Sequence, residues 1–170
     1  MDLKSCVREI PDFPQEGVLF RDITPLIADA EAFRELVDQM AGMLKDVDFD
    51  YIVAPEARGF IVGVPVALKA GAGFVPVRKP GKLPYETIRE SYDLEYGSNT
   101  IEMHKDALKK GDKVVVMDDL LATGGTAEAV CRLCEKLGAQ VQAVSFAIEL
   151  TALGGRECLK KYPVYTLIRY

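Results

Sequence analysis

Histidine is almost missing from this chain: His104 is the only one. Any catalytic scheme that needs two imidazoles is therefore excluded, and His104 itself is assigned no role. Also absent is an apolar run of the roughly 18 residues needed to span a bilayer. The opening Met1-Asp2-Leu3-Lys4 lacks the apolar stretch of a signal peptide. No membrane partner is expected, and the cytoplasm is the expected location. Positive charge is in short supply too. A net charge of -5 argues against a broad basic face for nucleic acid, so an anion must be met by a local cluster. Arg78, Lys79 and Lys82 form such a cluster. Cys131-x-x-Cys134 has no second pair to complete a zinc site, and it falls in mid-helix, whereas activated thiols sit at helix N-termini. Buried, reduced core cysteines are expected. No internal repeat or low-complexity segment occurs.

What is present is the composition of one folded domain. The 170 residues are 49% hydrophobic and 28% charged, enough for a sizeable core. From residue 29 onward helical and strand patterns alternate, which predicts an α/β fold built on a mainly parallel sheet. Asp29 is placed to cap a helix whose Phe33, Leu36, Val37, Met40 and Leu44 share one face. Tyr51 to Ala54 reads as a buried strand, Gly59 to Ala70 as a helix and Phe74 to Val77 as a strand. Lys113 to Met117, the most apolar strand, is expected at the centre of the sheet. Thr126 to Leu137 reads as a helix stopped by Gly138, Val141 to Ile148 as a strand and Tyr165 to Ile168 as a last short one. Two stretches break this rhythm. Residues 1–28, rich in proline and turn residues between Ile10 and Pro25, should form a hook laid over the sheet. Residues 79–103, polar and rich in Gly, Pro and Tyr, should project as a hairpin or lid.

The most informative stretch runs from Val114 to Thr126: an apolar strand, then Asp118-Asp119, then Leu120-Leu121-Ala122-Thr123-Gly124-Gly125-Thr126, then a helix. At the carboxyl end of a parallel strand, a loop of Ala, Thr and Gly lets backbone N–H groups approach an anion, and the helix adds its positive N-terminal end. The loop is not of the Walker type, because no lysine enters it and the glycine spacing differs. Two adjacent carboxylates repel a phosphate, so Asp118 and Asp119 must face proton donors or positive charge; ribose hydroxyls and Mg²⁺ both qualify.

That stretch resembles the sugar-donor loop of the type I phosphoribosyltransferases, and Asp118 to Thr126 resembles its adenine-specific branch. The resemblance covers nearly the whole chain. Gly17 to Pro25 resembles the family's base-binding hook, and Glu56-Ala57-Arg58-Gly59-Phe60 its pyrophosphate loop, which contains a cis peptide placed here at Glu56-Ala57. Arg78 to Pro84 and Ser91 to Gly97 resemble its mobile catalytic loop. By this resemblance the amides of Ala122, Thr123, Gly124, Gly125 and Thr126, with the two threonine hydroxyls, hold the 5-phosphate of phosphoribosyl pyrophosphate. Asp118 and Asp119 hold the ribose hydroxyls and contact Mg²⁺, which the substrate pyrophosphate chiefly carries. Arg58 and Lys82 neutralise pyrophosphate, assisted by Arg78 and Lys79, possible donors across a subunit boundary. Adenine lies between Phe20 and Leu150, its edge read by the backbone around Leu19 and Arg21. Glu95 is the candidate acid–base residue.

The implied reaction moves the phosphoribosyl group to adenine with inversion at C1, giving AMP and diphosphate, with Glu95, Arg58 and Lys82 as the catalytic set. A homodimer is implied by the resemblance alone. Three alternatives stay open at this point: a phosphoribosyltransferase for another base, which the hook disfavours, a non-catalytic regulator that binds the sugar phosphate, and a plain nucleotide-binding domain.

Overall fold

Asp29 caps its helix as its position predicts, its carboxylate accepting the N–H groups of Glu31 and Ala32 at 2.9 Å each. The computed structural model describes residues 1–93 and 97–170. A short hook, β1 (Arg8–Pro11) paired antiparallel with β2 (Leu19–Asp22), leads into α1 (Thr24–Ala28) and α2 (Ala30–Met43). Then follow β3 (Tyr51–Pro55), α3 (Arg58–Ala70), β4 (Gly73–Val77), the hairpin β5 (Thr87–Asp93) and β6 (Ser98–His104), β7 (Lys113–Leu121), α4 (Gly125–Lys136), β8 (Gln140–Glu149) and β9 (Val164–Arg169). Five strands form the central sheet in the order β4-β3-β7-β8-β9, and every pair in it is parallel. Among the described residues no helix is long and apolar enough to cross a membrane.

The continuous apolar run of β7 is explained by burial on both faces, the usual condition of a central parallel strand. Val114 and Val116 turn to one side, where they meet α4 through Ala129, Val130 and Leu133. Val115 and Met117 turn to the other, against Leu36 and Met40 of α2 and Val62 and Val66 of α3. Fully burying side chains of this size is worth about 1.5–3 kcal/mol each. Cys131 and Cys134 are buried and free in the α4 layer. Burial pushes the Cys131 thiol up to about 12 and raises Cys134 as well, so neither is poised as a thiolate at neutral pH.

Two boundaries differ from the sequence reading. Strand β7 does not stop at Met117 but carries both aspartates in register with β8, through Asp118↔Phe146 and on to Leu121↔Glu149. Hydrophobic patterning registers where apolar residues end, whereas the ladder of backbone hydrogen bonds is indifferent to side-chain polarity. The second difference lies in residues 79–103, read as a projecting lid. Their far strand β6 is rooted in the core, with Ile101, Glu102 and Met103 all buried. Arg78 and Glu102 exchange two backbone hydrogen bonds of 3.0 and 2.7 Å, which joins the root of the hairpin to the end of β4.

Candidate active site

Strand β3 leads to β4 on one side of the sheet, and β7 lies on the other, so the order reverses between β3 and β7. In open α/β sheets the crevice beyond the carboxyl ends of such a strand pair is the usual binding place. Here β3 delivers Glu56, Ala57 and Arg58, and β7 delivers Asp118, Asp119 and the Ala122 to Thr126 loop. Together they line two neighbouring cavities.

The smaller cavity, about 80 Å³, is enclosed by residues 120–127 with Asp118 and Phe146. Gly124 occupies the left-handed region at φ 89° and precedes the first turn of α4, which begins at Gly125. A Cβ on Gly124 would lie 2.4 Å from Cys158 Sγ and 2.7 Å from the Gly155 carbonyl oxygen. The loop is therefore backed by the segment that follows β8. That segment is held in turn by Arg156, whose Nε and Nη2 donate to the two carboxylate oxygens of buried Glu149 at 2.7 and 2.9 Å. Thr166 adds a third bond to Glu149 at 2.7 Å. Arg156 first and Thr166 as well hold the Glu149 carboxyl below the usual carboxylate range, against the opposing effect of burial.

The larger cavity, about 380 Å³, is lined by Pro55 to Arg58, Tyr92, Asp118, Asp119 and Thr126. Gly59 lets α3 come down onto its floor: a Cβ there would lie 3.0 Å from Asp118 Oδ1 and 3.2 Å from Pro55. The Glu56–Ala57 peptide is cis, as read from the sequence. Asp118 accepts the N–H of Asp119 at 2.9 Å. Burial, and next the charge of Asp119, raise the Asp118 carboxyl well above its ordinary range, with the Asp119 N–H and Arg58 opposing. Arg58 donates from Nε to buried Asp119 at 2.7 Å while its guanidinium lies 5.7 Å from the ring centroid of Phe20. With half its side chain exposed, at 53%, Arg58 has room to turn toward an arriving anion.

Glu56 anchors the start of the cationic cluster. Glu56 accepts the Arg78 Nε at 3.2 Å and the Lys79 N–H at 2.8 Å. Burial raises the Glu56 carboxyl, but these bonds outweigh it and leave the group below its ordinary range. Lys82 stands exposed on the next turn, outside the residues that line either cavity. Glu95 lies outside the described residues.

On the base side the structure places the named residues on two faces of β2. Leu19 and Arg21 do meet Leu150, with Tyr170 beyond them, around a largely apolar cavity of about 530 Å³. Phe20 does not join them among the described residues. Successive side chains of a strand point to opposite faces, so Phe20 lies on the other face of β2, edge-on to Phe13 at 5.2 Å between centroids and on the side of Arg58. Arg21 spends its side chain on structure, stacked 3.8 Å from the Tyr170 ring centroid and paired with Glu9. Three residues of the site and its support escape the sequence reading. Tyr92 was within a quoted motif but carried no role, and the Glu149–Arg156 pair was signalled only by an arginine after Gly154-Gly155.

Comparison with known proteins follows the same line. The sequence profile of the phosphoribosyl transferase domain matches residues 27–167. The adenine phosphoribosyltransferase of Thermotoga neapolitana is 58% identical over 170 residues, covering 100% of both chains. A crystal structure of adenine phosphoribosyltransferase from Thermoanaerobacter pseudethanolicus superposes with a TM-score of 0.97 at 51% identity, covering 99% of this chain and 98% of that one. The Saccharomyces cerevisiae enzyme, crystallised with an imino-altritol bisphosphate and adenine, gives 0.92 at 42% identity over 98% and 96% of the two chains.

Proposed function

The chain belongs to the phosphoribosyltransferase family, and from that premise we propose that it transfers the phosphoribosyl group of phosphoribosyl pyrophosphate to adenine, giving AMP and diphosphate. The observation that carries this reading is the end of β7, where two carboxylates run directly into a small-residue loop at a helix N-terminus. The 5-phosphate is held by that loop, and the ribose hydroxyls face Asp118 and Asp119. Pyrophosphate lies toward Arg58, with Arg78, Lys79 and Lys82 supplying further charge from the turn after β4. Arg58 must then trade its bond to Asp119 for the substrate, which frees the carboxylate for the sugar at the moment the guanidinium is needed. The reaction needs little covalent help from the protein. Positioning the two reactants and offsetting the charge that develops as pyrophosphate leaves C1 are the largest contributions available. Adenine attacks from the opposite face, resting on Leu150 and read along the β2 backbone at Leu19 and Arg21, with Phe20, which faces Arg58, proposed as its second wall.

Magnesium fits the donor set in kind, since Asp118 and Asp119 are hard oxygen ligands. Among the described residues no three potential ligands gather, so pyrophosphate and water oxygens must complete the shell. When bound, the ion offsets charge on the departing pyrophosphate. The free, buried thiols of Cys131 and Cys134 favour a reducing, cytoplasmic setting.

A homodimer is proposed on the outer face of α3. Ile61, Val64 and Leu68 stand at helical spacing with 38%, 39% and 77% of their surface exposed. This stripe starts one turn from Arg58, so a partner docked there lies beside the active site. Leu68→Lys should shift the protein from dimer to monomer in sedimentation velocity, and a parent that sediments as a monomer removes the proposal.

Pyrophosphate release measured with adenine, hypoxanthine, guanine, xanthine and uracil, with Mg²⁺ and with a chelator, tests the main reading. Adenine alone should support rapid release, and chelation should abolish it. Release with another base instead, or with none, would overturn the assignment.

A further inference from the structure

The hairpin places a group against the phosphate loop that the reaction as described leaves unused. On β5, Glu90 and Tyr92 are two residues apart and so face the same way, toward α4. Glu90 accepts from Arg132 Nε at 3.0 Å and pairs with Lys136 Nζ at 2.5 Å, and the same lysine donates to the Arg89 carbonyl at 2.8 Å. The ion pairs bolt this part of β5 to the body of α4. Tyr92, further along, is thereby carried to the start of that helix. Its ring lies 3.6 Å from where a Cβ on Gly125 would stand, and its hydroxyl accepts the Thr126 Oγ1 proton at 3.0 Å. The phenol also lines the larger cavity with Arg58 and Asp119.

We propose that the Tyr92 hydroxyl is a further ligand of the sugar donor's 5-phosphate, carried to the loop by the hairpin; this rests on the loop from Ala122 to Thr126 being the 5-phosphate site. The exchange of hydrogen bonds balances. Thr126 now donates to Tyr92, which leaves the phenol proton available. A phosphate oxygen is an acceptor only, so on arrival it accepts one hydrogen bond from the Thr126 hydroxyl and another from the Tyr92 hydroxyl beside it. Such bonds to a charged group are the stronger class. The anion then bonds both the loop and the hairpin, at the sugar-phosphate end of the donor rather than at its pyrophosphate.

Tyr92→Phe keeps the ring and its packing and removes only the hydroxyl, and an unchanged melting temperature checks that the fold is kept. Inhibition by ribose 5-phosphate and by inorganic pyrophosphate reports on the two ends of the donor separately. Ribose 5-phosphate inhibition should weaken on the order of tenfold, the usual scale for a hydrogen bond to a charged group, and pyrophosphate inhibition should not change. The KM for phosphoribosyl pyrophosphate should rise with it, while that for adenine stays the same. Unchanged or tighter ribose 5-phosphate inhibition, or equal weakening of both inhibitors, overturns the assignment. A parent enzyme that ribose 5-phosphate fails to inhibit overturns instead the reading of the loop, and the role of Tyr92 falls with it.

Discussion

Gly124→Val is expected to lower kcat/KM for phosphoribosyl pyrophosphate by on the order of 10²-fold or more, the penalty for misplacing a substrate-positioning loop by about 1 Å. The direction of the missing Cβ decides how. It points into Cys158 Sγ at 2.4 Å and the Gly155 carbonyl at 2.7 Å, so valine does not block the anion but levers the loop off its backing. Backbone strain adds to this, because φ is 89° and a β-branched residue tolerates that region badly. Cys158 is a side chain and can swing aside. The Gly155 carbonyl cannot, because the neighbouring Arg156 is locked to Glu149 by a two-pronged ion pair. Adding Cys158→Ala to the valine variant should therefore recover part of the loss and not all of it. Titration with the sugar donor alone, beside steady-state kinetics, is the measurement; undiminished donor affinity in Gly124→Val would mean that this loop does not hold the phosphate. Strand β7 ends at Leu121, so Gly124 lies outside the five-stranded sheet, whose core should survive with a modest drop in melting temperature.

The loop was legible in the sequence because its chemistry is local. Two acids, a small-residue turn and a helix start lie within one stretch of chain, and each residue type has a single physical reason to be there. The order of strands was legible in the same way, from apolar runs separated by helical periodicity. What the sequence does not display is which distant groups meet. Arg58 and Asp119 both stood out as site residues, yet their pairing across 61 positions places the arginine on an aspartate in this structure rather than pointing at a pyrophosphate. Tyr92 and Thr126 are 34 positions apart, and nothing local marks the tyrosine as a partner of the loop. Phe20 and Leu150 show the same limit. Motif resemblance names residues but not the face of the strand they occupy, and β2 sends Leu19 and Arg21 to Leu150 while Phe20 goes to Phe13.

Glu95→Gln and Lys82→Ala should fail in different ways, and the contrast tests how the hairpin serves the reaction. Lys82 belongs to the turn between β4 and β5, near the root of the hairpin. If Glu95 handles a purine proton, the glutamine variant keeps size and hydrogen-bonding reach but cannot exchange the proton. Turnover should then fall by roughly 10²-fold or more with substrate affinities kept, the usual scale for losing a general acid or base. On the proposed reading Lys82 acts on a group that is charged before, during and after bond breaking. Its removal should weaken donor binding as well as slow cleavage, because the lost attraction is felt in the ground state and in the transition state alike. The exposure of Lys82 in this structure fits a cation that reaches the pyrophosphate only when the turn moves in. Kinetics at saturating Mg²⁺, with adenine and donor varied separately and each bound alone by titration, separates the two defects. Were Glu95→Gln to turn over as fast as its parent across the neutral pH range, proton transfer at that residue would be excluded. The hairpin would then be left to shield the developing cation at C1 and to bring Lys82 and Tyr92 to the two ends of the sugar donor.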